Sequence, residues 1–377
     1  RRRGRRRGGV GARGALLMAR VDLQRVTVRS GGTSRLSELT LSVDDGSFVG
    51  VVGGSGSGKT SLLRAIAGLD QVDQGRVMLA GRDVTGASPG DRDVGMVFQE
   101  SALIGHLTAR RNVAFPLEIR RLDTEEVNQR VDAEMRALHI ERLVDRDPST
   151  LSAGEQQMVQ IARSLVRVPS VLLLDEPFAS LDEHLRRRMR AEIALLQSGY
   201  GVTTLMATND SADVQALASA LIVLDHGRLV QFGSTDDVRR APATLLAAAV
   251  TGAVSLIDVT VLAENDGFWL VREDPSGGEF VRVRAWLPAL RAHVGRTVSM
   301  AVRPEDVLVS ATGSVPARVE RALPLHAGGM QCSIAGAPVS VTAPSGTKLA
   351  RGDSVRLRID HYVLFDPTTD AAIRPEA

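Results

Sequence analysis

Eight residues, Gly53 to Thr60, read G-G-S-G-S-G-K-T and fill every fixed position of the pattern G-x-x-x-x-G-K-[ST]. The residue types suit one task, the holding of phosphate. Glycines at 53, 54, 56 and 58 (Gly53, Gly54, Gly56, Gly58) let backbone N–H groups crowd around phosphate oxygens, where a Cβ would obstruct the approach; Ser55 and Ser57 stand between them. Lys59 can reach the β- and γ-phosphates. The hydroxyls of Thr60 and Ser61 follow, and Thr60 can ligate Mg2+. The alternative is a Gly/Ser turn that fits by accident, and composition argues against it. Arginine serves nearly everywhere else: only two of the 46 Lys+Arg residues are lysines, Lys59 and Lys348. A compact ammonium fits between phosphates, and a planar guanidinium does not substitute for it.

Hydrolysis of a bound nucleotide also needs a metal ligand and a base for water. Asp175 ends the apolar run 171–174 and is placed to hold Mg2+ through water. Glu176, next in the chain, can take the proton from the attacking water. Gln99 ends a short strand predicted over 94–99, where it can touch both metal and water. Other polar candidates read as surface. His184 lies on a charged helix and His226 in an Asp-His-Gly turn, with no metal-ligand spacing. Arg186-Arg187-Arg188 reads as a solvated helix face.

These residues must be positioned by strands and helices. Apolar runs at 48–52, 94–99, 171–174, 202–207 and 221–224 alternate with helical stretches at 62–68, 109–146, 151–167 and 185–197, which predicts a mainly parallel α/β sheet. Alternating strands at 20–30 and 36–43 precede it, and a hairpin over 75–84 follows the first helix. After residue 249 the texture changes to nine short alternating runs between Gly, Pro and Asn/Asp turns, the pattern of a small all-β barrel of the OB type. The expected organisation is a disordered basic segment at 1–17, an α/β domain at 18–249 and a β-barrel domain at 250–377. The first segment opens R-R-R-G-R-R-R. Met18 begins the first strand pattern, so residues 1–17 read as an upstream extension of the reading frame, with a tail for an anionic surface or nucleic acid as the second reading. The single cysteine, Cys332, excludes a disulfide framework and suits a reducing cytoplasm. No apolar run reaches the roughly 18 residues of a membrane span.

With L-S-A-G-E-Q-Q at 151–157 ahead of a predicted helix, these motifs resemble the ATP-binding-cassette (ABC) ATPase subunits of ABC transporters, over about residues 20–250. The resemblance implies an α/β P-loop fold with helical and antiparallel β subdomains, ATP and Mg2+ as ligands, and a head-to-tail dimer with a second cassette. In such a dimer Ser152 and Gly154 complete the partner's ATP site, and Ala179-Ser180-Leu181-Asp182 is the dimer-contacting loop. Glu176, Gln99 and the residue at 209 become catalytic, and Thr60, Gln99 and Asp175 become metal ligands. M-A-V-R-P-E-D at 300–306 and L-F-D-P at 364–367 are similar to the β-barrel regulatory domain of carbohydrate importers of the maltose and glycerol-phosphate type. G-R-D-V-T at 81–85, D-R-D-V-G-M-V-F-Q at 91–99 and N-V-A-F-P-L at 112–117 point the same way; importers of polyamines, sulfate or iron share parts of them. The implied partners are integral-membrane permease subunits and, indirectly, an extracytoplasmic solute-binding protein, at the cytoplasmic face of the cell membrane. His106 falls at a family position in the groove that receives the permease. Gln99 and Ser152 stand 53 residues apart, without room for the long coiled coil of the family's DNA-repair members, so nucleic acid is not an expected partner.

Four features around the nucleotide depart from the family. Asn209, in T-N-D, stands where the family has a histidine that contacts the γ-phosphate; asparagine donates a hydrogen bond but is shorter and uncharged. Ser30 stands where an aromatic residue stacks on adenine, Ala153 and Glu155 alter the L-S-G-G-Q stretch, and Gly54 replaces a proline. Ile104 and Gly105 also replace a Tyr and a Pro in the permease groove. Losing one aimed donor costs about 10²–10³ in rate. The expectation is therefore a retained ATPase, its rate open to reduction at Asn209; the alternatives are a degenerate, weakly hydrolysing subunit with a structural or regulatory role beside a more active cassette, or an importer of a non-sugar solute.

Overall fold

The computed structural model describes residues 19–179, 181–264, 267–273, 280–322, 329–334, 336–343 and 349–374. The chain divides into two compact units after Phe232.

In the first unit the central strands are buried at every position: Phe48–Val52, Val171–Asp175 and Thr203–Ala207. They lie inside a six-stranded sheet ordered Arg228–Ser234, Ala220–Asp225, Phe48–Val52, Thr203–Ala207, Val171–Asp175, Val94–Val97. Every pairing from Ala220–Asp225 to Val94–Val97 is parallel. Alternate residues feed two cores. Val49, Val51, Leu173, Leu205 and Ile222 pack with Leu62, Leu63 and Ile66 of helix α1 (Lys59–Ala67) and with a four-stranded antiparallel sheet built on Val21–Ser30 and Thr33–Val43. Phe48, Leu172, Leu174 and Met206 face the other way, into a core shared with α2 (Ala109–Ile119), α3 (Thr124–Ala137), α4 (Ala153–Leu165) and α5 (Glu183–Tyr200). A sheet covered on both faces needs apolar residues at every position, which is why its strands show no alternation. Helix α6 (Ser211–Leu217) follows the strand Thr203–Ala207. Helix α1 begins and ends on left-handed glycines, Gly58 and Gly68. Its C-terminal carbonyls receive the buried Arg92 guanidinium, which donates to Ala65 O at 2.7 Å and Ile66 O at 2.8 Å, a cation at the negative end of the helix dipole.

The second unit opens with two short helices, α7 (Thr235–Arg240) and α8 (Leu245–Val250). The division therefore falls ahead of the boundary expected at 249/250. The cause is local: Ala248 packs with Ala301 and Phe365, and Arg303 donates to Arg239 O (3.3 Å), Ala248 O (3.2 Å) and Thr251 Oγ1 (2.7 Å).

All nine β-runs expected after residue 249 are strands, and they form two sheets. One is a five-stranded sheet ordered Phe280–Ala285, Gly267–Glu273, Ser255–Glu264, Thr297–Val302, Val363–Phe365. The other is a closed five-stranded barrel, which also recruits Val307–Val309, a strand too short to show a period. The OB-like barrel is thus present but takes only part of 250–377, because alternation predicts strands and not the partner that closes them. Cys332 is buried inside this unit, and burial pushes its thiol up to about 11, which leaves it unreactive. Among the described residues no helix is long and apolar enough to cross a membrane.

Candidate functional site

Two glycines of the phosphate loop are required by close approach. A Cβ at Gly53 (φ 153°) would lie 2.2 Å from the Leu224 carbonyl oxygen, and one at Gly58 (φ 104°) 2.8 Å from the Arg35 carbonyl oxygen. Gly54 and Gly56 face open space, with nothing within 4 Å of such a Cβ. Gly58 starts α1 without a side-chain cap and the first turn carries no acidic residue, so the helix offers uncapped N–H groups to an anion. Lys59 is buried within the loop and donates to Gly53 O at 3.1 Å and Gly54 O at 3.0 Å. Burial lowers its pKa, opposed by the nearby Glu176 and Asp175 carboxylates. The buried Ser57 hydroxyl has no protein partner, which fits a loop completed by a ligand. Ser55 is exposed and Ser61 half-buried.

Thr60 Oγ1 donates to Asp175 Oδ1 at 3.1 Å. Burial raises the Asp175 pKa, the Thr60 hydrogen bond pulls it back, and the charge of Glu176 raises it further. Glu176 turns out of the strand with φ 44°. Each oxygen of its carboxylate accepts one amide: Oε1 from Asn209 Nδ2 at 2.6 Å, Oε2 from Gln99 Nε2 at 3.2 Å. The three catalytic candidates read from sequence are thus one hydrogen-bonded group, and Asn209 is tied to the candidate base itself. Thr60, Gln99 and Asp175 supply a hydroxyl, an amide and one carboxylate. Among the described residues no cluster of three or more His, Cys, Asp or Glu could cage a metal. That donor set fits Mg2+, which keeps several waters and takes phosphate oxygens as its other ligands.

A web of charge holds the segment that carries Asn209. Thr208 Oγ1 donates to Asp213 Oδ2 at 2.7 Å and accepts the Asp210 N–H at 3.1 Å. Arg190 Nε donates to Asp213 Oδ1 at 2.6 Å, and Arg186 to Asp210 Oδ2 at 2.6 Å. Both Arg190 and Asp213 are buried. Arg186 therefore departs from the solvated face expected of it, because the Asp210 carboxylate at the start of α6 receives it; Arg187 and Arg188 are exposed. The available signal was the four-residue spacing of Arg186 and Arg190, which puts both on one face of α5. A cavity of about 410 Å3 opens beside this web, lined by Glu176, Phe178, Asn209 and Ser211 among others.

Ser152 and Gly154 are not joined to this group by any hydrogen bond among the described residues. Ser152 caps α4 in a reciprocal capping box with Glu155. Glu155 also pairs with Arg142 at 2.9 Å, so the charge it adds to the L-S-G-G-Q stretch is compensated within the cassette. Hydrogen bonds from Ser152, its backbone N–H first, hold the Glu155 carboxyl below its ordinary pKa. Gly154 is buried against α5, where a Cβ would lie 2.7 Å from Leu185 Cδ2. Ser180 lies outside the described residues; Ala179 is exposed, Leu181 buried, and Asp182 caps α5 by accepting the Leu185 N–H at 2.9 Å. Ser30, Ala153, His106, His184 and His226 are exposed.

Fold and site together define an α/β phosphate-loop ATPase cassette. Known proteins sharpen the class. The ABC transporter family profile matches residues 36–179. The sn-glycerol-3-phosphate import ATP-binding protein UgpC of Ruegeria pomeroyi is 34% identical over 362 residues, 94% of this chain and 99% of that protein. The spermidine/putrescine import ATP-binding protein PotA of Lawsonia intracellularis is 36% identical over 77% of each chain, and the sulfate/thiosulfate import ATP-binding protein CysA of Synechococcus elongatus 40% identical over 63% of this chain and 69% of that protein. Among solved structures, a dimeric post-hydrolysis state of the ATP-binding cassette MJ0796 bound to ADP and Pi matches with a TM-score of 0.52 and 29% identity, over 57% of this chain and 98% of that one. The chain belongs to the ABC transporter import ATP-binding proteins, and is an ATPase.

Proposed function

We propose that this chain drives a carbohydrate importer, in the class that spans sugars and glycerol phosphate, and that it works as a head-to-tail cassette pair on the cytoplasmic face of the cell membrane beneath permease subunits served by an extracytoplasmic solute-binding protein. The observation that carries the catalytic part is the Glu176 carboxylate, with one amide on each oxygen, beside Lys59, Thr60 and Asp175. Support for the solute class is the match to the Ruegeria pomeroyi glycerol-phosphate protein through 94% of the chain, β-rich tail included.

Lys59 and the N–H groups at the start of α1 hold the β- and γ-phosphates. Thr60, Asp175 and Gln99 would hold Mg2+, which when bound neutralises charge on the phosphate oxygens. Glu176 takes the proton of the water that attacks the γ-phosphate, while Gln99 and Asn209 fix the direction of its two oxygens. Ser152 and Gly154 present the N-terminus of α4 to the nucleotide of the partner cassette. Closure of the pair over ATP moves the permease, and hydrolysis reopens it.

A slow-turnover reading has one observation in its favour. The Asn209 amide, at the position from which the family contacts the γ-phosphate, is directed instead at Glu176 Oε1, 2.6 Å away. Turnover of the purified transporter separates the two. Wild type well above Glu176→Gln supports the working ATPase, and equality with it overturns that reading. Faster turnover in Asn209→His supports a slowed site. Finding two copies of this chain, or one beside a different cassette, decides whether both sites carry Asn209. For the solute, uptake of labelled maltose or glycerol phosphate into reconstituted vesicles supports the carbohydrate class, and uptake of spermidine or sulfate alone overturns it.

A further inference from the structure

The second unit contains a cleft of about 420 Å3 that shares no residue with the nucleotide site. Residues 240–242, 285–287, 362–364 and 372–374 line it. Its floor is apolar, with Leu364 and Ile373 buried beneath it. One wall is Trp286, one of only two tryptophans in the chain, left 63% exposed. The Arg284 guanidinium lies 4.1 Å from the centre of its ring, which steadies the indole as a flat wall. Among the described residues the charged lining consists of Arg240 and Arg374, with no carboxylate. Arg374 donates to Ala241 O at 2.8 Å, and among the described residues neither arginine forms an ion pair.

Each feature selects part of a ligand. The volume lies within the roughly 300–1,000 Å3 of small-molecule sites. Two guanidinium groups at one cleft attract an anion and can bind it by charge-assisted hydrogen bonds. An exposed indole over an apolar floor takes a flat or apolar body. A large apolar side chain open to water beside a cleft is the kind of surface that marks binding. We propose that this cleft is a binding site for a small organic anion, whose charged end meets Arg240 and Arg374 and whose body lies against Trp286.

The probe is anilinonaphthalene sulfonate, a flat organic anion, titrated into the full chain with MgATP saturating the nucleotide site. The expected result is one saturable site whose affinity falls roughly tenfold or more in Arg240→Gln/Arg374→Gln, and by a similar factor in Trp286→Ala. The neutral N-phenylnaphthylamine is expected to bind at least about tenfold more weakly than the sulfonate. All three side chains are largely outside the core, so the variants keep the wild-type melting temperature and ATP affinity; if the double variant loses either, the single arginine substitutions carry the same comparison. Unchanged probe affinity in the arginine variants, unchanged affinity in Trp286→Ala, or equal affinity for the neutral analogue overturns the proposal.

Discussion

Burial raises the pKa of Asp175 even though Thr60 donates to it and Lys59 lies close enough to oppose the shift. The net direction sets a linkage. A carboxyl whose pKa is raised by folding holds its proton more tightly in the native state. Its stabilising contribution is complete below the unfolded value and is lost as pH rises through the folded one. Asp175→Asn keeps an acceptor for Thr60 and removes the buried charge. The nucleotide-free variant is therefore expected to melt above wild type at neutral pH, to match it below the ordinary carboxylate range, and to lose ATP turnover; melting curves at the two pH values check this. Gly154 carries a different lesson. Its missing Cβ makes room for Leu185, so Gly154→Ala is expected to cost about 1–3 kcal/mol by overpacking in the isolated chain. Leu185→Ala in the same chain should recover part of the loss in a denaturant titration. A transport defect at Gly154 thus mixes packing with any contact to the partner's nucleotide, as one at Ser152 mixes loss of the α4 cap with it.

At the scale of elements, α5 and the start of α6 act as a clamp on the loop between them and the strand Thr203–Ala207. Arg190 is the centre of the clamp, and its removal strands Asp213 as a buried charge. Arg190→Met is expected to cost about 3–5 kcal/mol in unfolding free energy. Arg190→Met/Asp213→Leu should recover much of it, because the pair is then replaced by apolar groups. Turnover is expected to stay low in the double variant while the KM for ATP changes little, since Thr208 has lost its acceptor and Asn209 its fixed bearing on Glu176. Steady-state kinetics of the assembled transporter check that split. This clamp is also where the sequence was hardest to read. Gln99, Asp175, Glu176 and Asn209 each follow an apolar run, so their place at one edge of a parallel sheet follows from chain order alone. Arg190 and Asp213 are 23 residues apart and joined by a buried ion pair, and such pairs obey no helical or strand period. Arg186 reads as solvated for the same reason, since its partner Asp210 lies 24 residues away.

The whole molecule divides where packing, and not texture, changes. A shift from helices to short alternating runs is visible at residue 249, yet α7 and α8 are part of the second unit's packing. Composition records the period of a segment and cannot record which core its apolar face joins; the same gap hid the split of the β-runs into a sheet and a closed barrel. Arg303 makes the consequence measurable. Its buried guanidinium has its oxygen partners at Arg239, Ala248 and Thr251, two of them before residue 250. A fragment starting at 250 leaves that charge without most of its acceptors and uncovers Ala301 and Phe365, whereas one starting at 233 keeps both. The fragment 233–377 is expected to fold cooperatively on its own, and 250–377 to melt lower or not to fold. Adding Arg303→Met to 250–377 should restore only part of the difference, because it removes the stranded charge but leaves the apolar face bare. Circular dichroism melts of the three fragments test this, and equal melting temperatures for 233–377 and 250–377 would return the boundary to residue 250.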